Sequence, residues 1–270
     1  MTTNNSPLYL PKGGLVGLPP AGEIAIFADA NGNVFKIDEA GSVTAIGGGG
    51  GTISNSLVVL ARAQSLLGTQ YTSIGGTDFY QASDFTAVNS GSGTATLSAA
   101  ARSGMLKLST GVTTTSTASI TLATNASQID NVKTSKFYAV WRAALVTAAD
   151  ALTSQALTIT GNSGPTIFQI GCRGPTGTGF FNVFAGDDGG NIRENVSTIV
   201  PIDTVFHTFE IWNDLININF AMDGAVLVSF ATALLSGGVP AHIGANAVNG
   251  ATATNREVDI DYMFVVTAPN

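Results

Sequence analysis

The sequence has few of the side chains on which most catalytic and metal sites depend. Its 270 residues include one cysteine, Cys172, and two histidines, His207 and His242. A single cysteine excludes an intramolecular disulfide, and this set is too small for a Cys/His zinc site. No Gly-x-Ser-x-Gly motif lies at a strand-to-helix turn, and no glycine-rich phosphate loop carries its lysine. The sequence therefore predicts no catalytic residue, no metal site and a protein that is not an enzyme.

Charge is also scarce, and positive charge most of all. Charged residues make up 11% of the chain and the net charge is −7, with only 11 lysines and arginines scattered singly. Nucleic acids and anionic membrane surfaces are bound through clusters of basic residues, so neither is an expected partner. No apolar run approaches the roughly 20 residues that span a bilayer, so no membrane insertion is expected.

The N-terminus lacks the basic region and apolar stretch of a signal peptide, so no signal peptide is expected. The composition nevertheless suits an extracellular β protein, because Gly, Ser, Thr and Ala replace most charged residues. A bacteriophage particle reconciles these two observations, since its proteins are made in the host cytoplasm and act outside the cell after lysis. The predicted location is therefore the virion surface.

Residues 1–46 are predicted to form an anchor. Residues 1–22 combine Pro and Gly with apolar side chains, which favours an extended arm lying on another surface. Residues 23–46 predict a three-stranded β-meander, with an Asn-Gly hairpin signal at 31–32. So small a sheet cannot bury its apolar face alone. The predicted anchoring residues are Leu8, Tyr9, Leu10, Leu15, Ile24, Ile26, Phe35 and Ile37. Five glycines at 47–51 predict a flexible linker.

Residues 52–270 show short strands separated by glycine-rich turns, which predicts an antiparallel jelly-roll β-sandwich and an all-β fold class. The clearest strands flank the turn at Asp223-Gly224. In the last strand, alternation places Val258, Ile260, Tyr262, Phe264 and Val266 on one face. Residues 57–67 fit either a short helix or a strand.

Several stretches resemble known families. His207–Phe230 and Arg256–Thr267 resemble concanavalin-like or laminin-G-like jelly rolls, and Gly93–Leu122 resembles the start of such domains in phage fibre and decoration proteins. Gly22–Ile46 is similar to a meander module of phage tail and head-fibre proteins. The resemblance implies a homotrimer attached to other virion proteins, such as capsid or tail components. The sandwich would face outward and contact host cell-surface glycans.

Three carboxylates on the last strand are the main candidates for a site. Glu257, Asp259 and Asp261 alternate along it, about 6.5–7 Å apart. That spacing suits a glycosidase pair or, with carbonyl ligands, a structural calcium ion, although a solvated outer face is the simpler alternative. Asp187 and Asp188 lie in a glycine-rich turn, where aspartates are either ligands or residues that stabilise the turn.

Aromatic residues are the second group of candidates, because sugars stack on them. Trp212 is predicted to contact a glycan, with Trp141, Tyr138 and Tyr262 as further candidates, although aromatics on strands also fill cores. His207 is expected to be partly buried and hydrogen-bonded, and His242 to lie solvated in a turn. The function predicted is a virion surface protein of the head or of a short tail fibre. The alternatives are a receptor-binding adhesin of the tail and, less favoured, a glycan-degrading enzyme.

Overall fold

The protein is almost entirely β. A computed structural model describes residues 24–28, 34–38, 43–45, 55–67, 73–77, 85–98, 105–122, 129–145, 154–161, 166–173, 179–186, 192–235, 238–250 and 254–268. These ranges contain eighteen strands, one α-helix and one short 3-10 helix. The all-β prediction is confirmed. The chain divides into two compact units, residues 1–58 and 59–270.

The first unit contains a three-stranded antiparallel sheet of β1 (Ile24–Ala28), β2 (Val34–Asp38) and β3 (Val43–Ala45), in that order. The predicted meander is confirmed. The register pairs Phe35 with Phe27 and Ile26 with Lys36, so the predicted apolar positions of β1 and β2 are not cross-strand partners. The side chains of Ile24, Ile26, Phe35 and Ile37, and the whole of Leu8, Tyr9, Leu10, Leu15 and 47–51, lie outside what the structure describes. Anchoring therefore stays a prediction.

Helix α1 (Asn55–Leu67) settles the ambiguity at 57–67 in favour of a helix. In the second unit, its residues Val59, Ala63 and Leu67 are buried at a spacing of four, which is one face of a helix. Within the described ranges, no helix is long and apolar enough to cross a membrane.

The second unit carries fifteen strands, which form two antiparallel sheets. They are β4 (Ser73–Thr77), β5 (Phe85–Ser90), β6 (Thr94–Ser98), β7 (Met105–Ser109), β8 (Thr117–Leu122), β9 (Lys136–Leu145), β10 (Ser154–Gly161), β11 (Thr166–Arg173), β12 (Phe180–Gly186), β13 (Ile192–Pro201), β14 (His207–Asn213), β15 (Asn217–Met222), β16 (Ala225–Ala231), β17 (Ala241–Val248) and β18 (Glu257–Ala268). A 3-10 helix (Thr232–Leu234) follows β16.

The seven-stranded sheet has the order β13-β12-β11-β10-β17-β8-β5. The eight-stranded sheet has the order β16-β15-β14-β9-β18-β7-β6, and β4 pairs with β18 beside β7. This arrangement confirms the predicted jelly-roll sandwich.

The main core lies between the two sheets. Its largest fully buried side chains come from both sheets and include Leu106, Phe137, Trp141, Phe168, Phe181, Phe209 and Phe220. Two polar side chains connect the sheets through this core. Trp141 Nε1 donates to the Gly244 carbonyl at 3.1 Å, and Gln155 Nε2 donates to the Glu257 carbonyl at 2.8 Å.

A second, smaller core lies on the outer face of the eight-stranded sheet, under helix α1. Val59, Ala63 and Leu67 pack there with a set of sheet residues comprising Tyr138, Val140, Trp212, Ala221, Phe264, Val266 and Ala268. A β-bulge between Ile260 and Tyr262 directs β18 into both cores. Val258 and Ile260 face the main core, whereas Phe264 and Val266 face the second. The prediction that one face carries all five apolar residues of this strand is wrong because of this bulge.

The sequence pattern does not indicate β4, β5, β13 and β17. Strand β17 has the sequence AHIGANAV, whose small residues give a weak strand signal. His242 lies in this strand and is half-buried, so its predicted place in a solvated turn is wrong. The signal missed there is the alternation of Ala241, Ile243, Ala245 and Ala247, all of which are buried.

Candidate functional site

Uncharged polar and small residues are frequent among the described side chains on the outer side of the seven-stranded sheet. Alternate residues of each strand enter the main core, so the residues between them lie on the opposite side. We call this side the polar face. Its members on β5, β8, β17, β10, β11 and β12 are Thr86, Val88, Ser90, Thr117, Ser119, Thr121, His242, Gly244, Asn246, Val248, Ala156, Thr158, Thr160, Gln169, Gly171, Asn182 and Phe184.

Strand register aligns these residues in two rows that cross six strands. The first row is Val88, Ser119, Asn246, Ala156, Gly171 and Asn182. The second row is Thr86, Thr121, Gly244, Thr158, Gln169 and Phe184. Neighbours within a row are directly opposite on adjacent strands and therefore close enough to contact one ligand together.

Exposure changes along the rows. Thr86 and Val88 on the edge strand are exposed, and Ser119, Thr121 and Asn246 are half-buried. Thr158, Gln169 and Asn182 are 5%, 6% and 5% exposed. The polar face is thus open at β5 and β8, and its polar groups are deeply buried at β10, β11 and β12.

Two amide oxygens on the first row are held away from solvent. Among the described residues, Asn182 Oδ1 and Asn246 Oδ1 are buried and accept no hydrogen bond. The other end of the Asn182 amide is occupied, because its Nδ2 donates to the Phe180 carbonyl at 3.2 Å. A buried acceptor without a donor costs about 1–3 kcal/mol.

Each row contains a glycine where a side chain would not fit. A Cβ at Gly244 would collide with the carbonyl oxygen of Ile120, and one at Gly171 would collide with that of Gln155. Because the neighbouring strand approaches these positions so closely, only glycine is accommodated.

His242 is the only titratable member named in the polar face. Burial lowers its pKa, since the charged imidazolium is less well solvated there than in water. The neutral form is therefore favoured at neutral pH.

The carboxylates of β18 lie on the other sheet and form a different environment. Glu257 accepts hydrogen bonds from Lys107 Nζ at 3.2 Å and from Asn255 Nδ2 at 2.8 Å, and Asp261 pairs with Arg142 at 3.1 Å. Asp259 lies between them, and its Oδ1 is buried with no hydrogen-bond partner in the described ranges. We call Glu257, Asp259 and Asp261 the carboxylate strip.

Burial raises the pKa of Asp259, and nearby Glu257 raises it further, while Lys107 partly opposes the shift. The strip therefore combines an ion-paired carboxylate with one that holds a proton more readily. Such a pair can serve as acid and base. No group of three or more His, Cys, Asp or Glu able to hold a metal occurs in the part of the chain that the structure describes.

His207 lies between two aspartates at one end of β14. Its Nδ1 is 2.6 Å from Asp223 Oδ2 and its Nε2 is 2.9 Å from Asp203 Oδ1. Burial lowers the pKa of His207, but the hydrogen bonds to Asp223 and Asp203 outweigh burial and the net shift is upward. Because both nitrogens face carboxylates, the doubly protonated ring, which can donate to both, is favoured over the neutral one. The expectation of a partly buried, hydrogen-bonded His207 is confirmed.

The candidate aromatics mostly fill cores. Trp141 is 0% exposed in the main core, while Trp212 and Tyr138 are 6% and 2% exposed in the second core. Helix α1 covers the Trp212 indole, so this side chain is not available for stacking on a sugar, contrary to its predicted glycan contact. Asp187 and Asp188 lie outside the described residues. Contact of these two aspartates and of the carboxylate strip with a glycan or ion stays a prediction.

Comparison with known proteins identifies the fold but not a family. No protein-family model matches the chain, and no curated protein matches it. The laminarinase catalytic domain from Thermotoga maritima MSB8 is 14% identical, with a TM-score of 0.52 over 74% of this chain and 98% of that one. The Crh5 transglycosylase in complex with NAG is 13% identical, with a TM-score of 0.51 over 75% of this chain and 86% of that one. These likenesses show the jelly-roll fold alone.

This finding overturns the expectation that the chain is not an enzyme. That expectation took a sandwich without a histidine- or cysteine-based site to be non-catalytic. The same fold is present in a laminarinase catalytic domain and in a transglycosylase, so the fold gives no ground for excluding catalysis. The structures matched here do not bear on attachment to a phage particle.

Proposed function

We propose that the chain binds carbohydrate through the polar face of its seven-stranded sheet. The observation that carries this proposal is the set of hydroxyl and amide side chains at the accessible end of this face, where Thr86 is exposed and Ser119, Thr121 and Asn246 are half-buried. Sugar hydroxyls both donate and accept, and so do side-chain amides and hydroxyls. The jelly-roll fold, which also occurs in proteins named for action on glycans, agrees with this proposal.

A glycan-array screen followed by calorimetry tests this proposal. Asn246→Ala and Ser119→Ala should each weaken binding about 5- to 10-fold, since one hydrogen bond contributes about 1 kcal/mol. Thr96→Ala is the matched control, because Thr96 is exposed on β6 of the other sheet. Equal loss in all three variants, or binding unaffected by Asn246→Ala, would contradict a site on the polar face.

We propose further that the chain is a surface protein of a bacteriophage particle, attached through residues 1–46. The three-stranded sheet of the first unit supports this proposal, because so small a sheet needs a partner surface. The five glycines at 47–51 suit a tether. The proposed partners are a homotrimer of this chain, capsid or tail proteins, and host cell-surface glycans.

Deleting residues 1–46 tests the attachment. The shortened chain should keep its glycan binding and its thermal transition, but should no longer sediment with particles. Light scattering on the full chain measures the oligomer number. Normal incorporation of the shortened chain would contradict anchoring by these residues, whatever the outcome of the glycan screen.

A second candidate function is cleavage of a glycan at the carboxylate strip. The raised pKa of Asp259 beside the ion-paired Glu257 favours it, since glycoside hydrolysis needs a protonated carboxyl and an ionised one. Asp259 would protonate the leaving oxygen and Glu257 would be the ionised partner. Release of reducing ends from a polysaccharide panel, lost in Asp259→Asn and kept in Asp261→Asn, would support this function. No release from the panel would contradict it.

A further inference from the structure

We propose that two copies of this chain associate through strand β5, which pairs with β5 of the second copy in an antiparallel, two-fold arrangement. The seven-stranded sheet then continues from one chain into the other. This contact goes beyond the proposed carbohydrate binding and attachment, and it depends on neither. It is also separate from the proposed homotrimer, because a two-fold contact joins chains in pairs.

The backbone of β5 is open to pairing with another strand. Among the described strands β5 pairs with β8, and it stands at one end of the seven-stranded sheet. Its six residues pair in unbroken register, from Phe85 opposite Leu122 to Ser90 opposite Thr117. Edge strands are usually kept from pairing with other chains by charged residues, prolines or bulges. The sequence FTAVNS and the regular register of β5 include none of these.

Strand β5 also projects beyond the core of the sandwich. Every residue from 86 to 90 is exposed, including those on the side that faces the other sheet. The adjacent strand β8 differs, since its core-facing residues Ala118 and Ile120 are 0% and 2% exposed. The described part of the chain therefore leaves most of β5 accessible to a partner.

The other three ends of the two strand orders are less suited to such pairing. Strands β13 and β16 bound the opposite side of the sandwich, and each has a register shift against its neighbour. Such irregularities disturb the backbone ladder that a further strand needs. Strand β6 has five residues, and its Ala95 and Leu97 pack against the main core. Among these four ends, β5 is the one that combines a regular backbone with exposure on both sides.

The side chains of β5 favour a second copy as the partner. On the outer side, Val88 lies midway between Thr86 and Ser90 and is 67% exposed. The residue directly opposite Val88 on β8 is Ser119, so this ladder gives Val88 no large apolar neighbour opposite it. When an antiparallel copy is centred on Val88, valine lies opposite valine, and Thr86 lies opposite Ser90 of the second copy. Apolar groups then meet apolar groups, and hydroxyls meet hydroxyls.

Charge and size are consistent with a weak pair. Each chain carries a net charge of −7, so two copies repel each other at long range. Contact through an uncharged strand adds no pair of like charges to this repulsion. A six-residue edge is small beside the roughly 800 Å² that each partner of a standard interface buries, so we expect a Kd of about 10–500 µM.

Sedimentation equilibrium of the full chain, between about 5 and 1,000 µM, tests the contact. The average mass should rise towards twice its value at the lowest concentration, whatever oligomer is present there. Val88→Lys should weaken this association at least about tenfold, because a charge then lies opposite its own copy. Val226→Lys is the matched control and should associate like the unaltered chain. Val226 is 55% exposed on β16, at the opposite side of the sandwich.

A mixture of two charge variants tests the symmetry. Val88→Lys and Val88→Glu chains should each associate poorly alone, whereas their equimolar mixture should associate at least as tightly as the unaltered chain. The reason is that opposite charges then face each other across the pair. Thermal melting checks that both variants fold.

Hydrogen exchange of the unaltered chain gives a test that needs no substitution. Amides of β5 should exchange more slowly at about 500 µM than at about 5 µM, while those of β16 should not change. Slow exchange of β5 at both concentrations would mean that another part of the same chain covers the edge, and it overturns the proposal. A mass independent of concentration, no weakening by Val88→Lys, equal weakening by Val226→Lys or no rescue in the mixture also overturns it. None of these outcomes bears on carbohydrate binding.

Discussion

Arg62 of helix α1 donates from Nε to a carboxylate oxygen of Glu210 on β14 at 2.8 Å, across 148 residues of sequence. The same oxygen accepts the Tyr138 hydroxyl at 2.8 Å. Glu210 is 2% exposed, because the helix covers it. Burial raises the pKa of Tyr138, and the neighbouring Glu210 raises it further. The hydrogen bond that Arg62 donates to Glu210 raises the pKa of Arg62. The helix is thus held by a buried charge as well as by three apolar residues.

Replacement of Arg62 should destabilise the protein more than replacement of a lysine in an exposed ion pair. Arg62→Met leaves the Glu210 carboxylate buried with Tyr138 alone, and the expected loss is about 2–3 kcal/mol. This value lies below that of a fully buried pair because the Arg62 side chain is 35% exposed. Urea denaturation measures it.

Lys107→Met is the matched control for Arg62→Met. Its partner Glu257 lies on an outer face, and such pairs contribute about 1 kcal/mol or less. The double variant Arg62→Met/Glu210→Gln should lose less than the sum of the single losses, since it leaves no unpaired charge. A loss in Arg62→Met no greater than in Lys107→Met would contradict the role of the pair.

Stability should depend on pH through His207 and Asp203. The pKa of His207 is raised above its ordinary value of 6.5, so its contribution is complete below 6.5 and is lost as pH rises through the folded pKa. Desolvation raises the pKa of Asp203, but the hydrogen bonds from His207 and from the Val205 backbone, together with the charge of His207, outweigh it and lower the pKa from 3.8. Its contribution is complete above 3.8 and is lost as pH falls through the folded pKa.

The stabilising contributions of His207 and Asp203 are both complete between pH 3.8 and 6.5. In that window His207→Gln should lower the urea midpoint most, and the difference from the unaltered chain should shrink above it. NMR titration of the imidazole measures the pKa directly, with His242, whose pKa is lowered, as the internal reference. A His207 midpoint below that of His242 would refute the cluster.

The sequence predicts those parts of the fold whose signals are local. Strands β14 and β15 alternate large apolar residues with others. The turn between β15 and β16 has Asp223 at φ +50 and Gly224 at φ +82, as an Asp-Gly pair suggests. Strand β17 is not predicted because its alanines and glycine contribute little to the pattern of large apolar residues. These small residues are nevertheless enough to form a strand where neighbouring strands approach closely. The polar face is not predicted for the same reason, since both of its rows pass through β17.

Other features depend on contacts far along the chain. Residues 57–67 become helical where Val59, Ala63 and Leu67 meet the outer face of a sheet, and where Arg62 meets Glu210. The packing of helix α1 on this sheet also buries Trp212. A bulge at Ile260 and Tyr262 shifts the alternation of β18, so that Val258 and Ile260 face the main core whereas Phe264 and Val266 face the second. Strict alternation cannot anticipate this change.

Gly244→Ala should destabilise the sandwich severely. The added Cβ would collide with the Ile120 carbonyl, which belongs to the neighbouring strand and cannot move without disturbing the β8–β17 pairing. We expect a loss of more than about 3 kcal/mol, or no folded protein. Gly224→Ala is the control, since nothing lies within 4 Å of its Cβ and only its φ of +82 is unfavourable. That strain costs about 1 kcal/mol. Similar thermal shifts in the two variants would refute the close strand approach.

The two tryptophans should report the unfolding of the two cores separately. Trp141 is 0% exposed between the sheets, and Trp212 is 6% exposed under helix α1. Trp212→Phe leaves only Trp141, and Trp141→Phe leaves only Trp212, because the chain has two tryptophans. The second core is smaller and is covered by one short helix, so it should open at lower denaturant. The fluorescence midpoint of Trp212 in urea should therefore precede that of Trp141.

Adding Arg62→Met should increase the difference between the urea midpoints of Trp212 and Trp141. The helix then loses its ion pair to Glu210, while the core between the sheets is unchanged. Trp141→Phe should itself cost about 2–3 kcal/mol, because it removes the donor to the Gly244 carbonyl and leaves a cavity. Each fluorescence midpoint must therefore be compared with the unfolding midpoint that circular dichroism gives for the same variant. Coincident midpoints with and without Arg62→Met would show that helix and sandwich unfold as one unit and would refute separate opening of the second core.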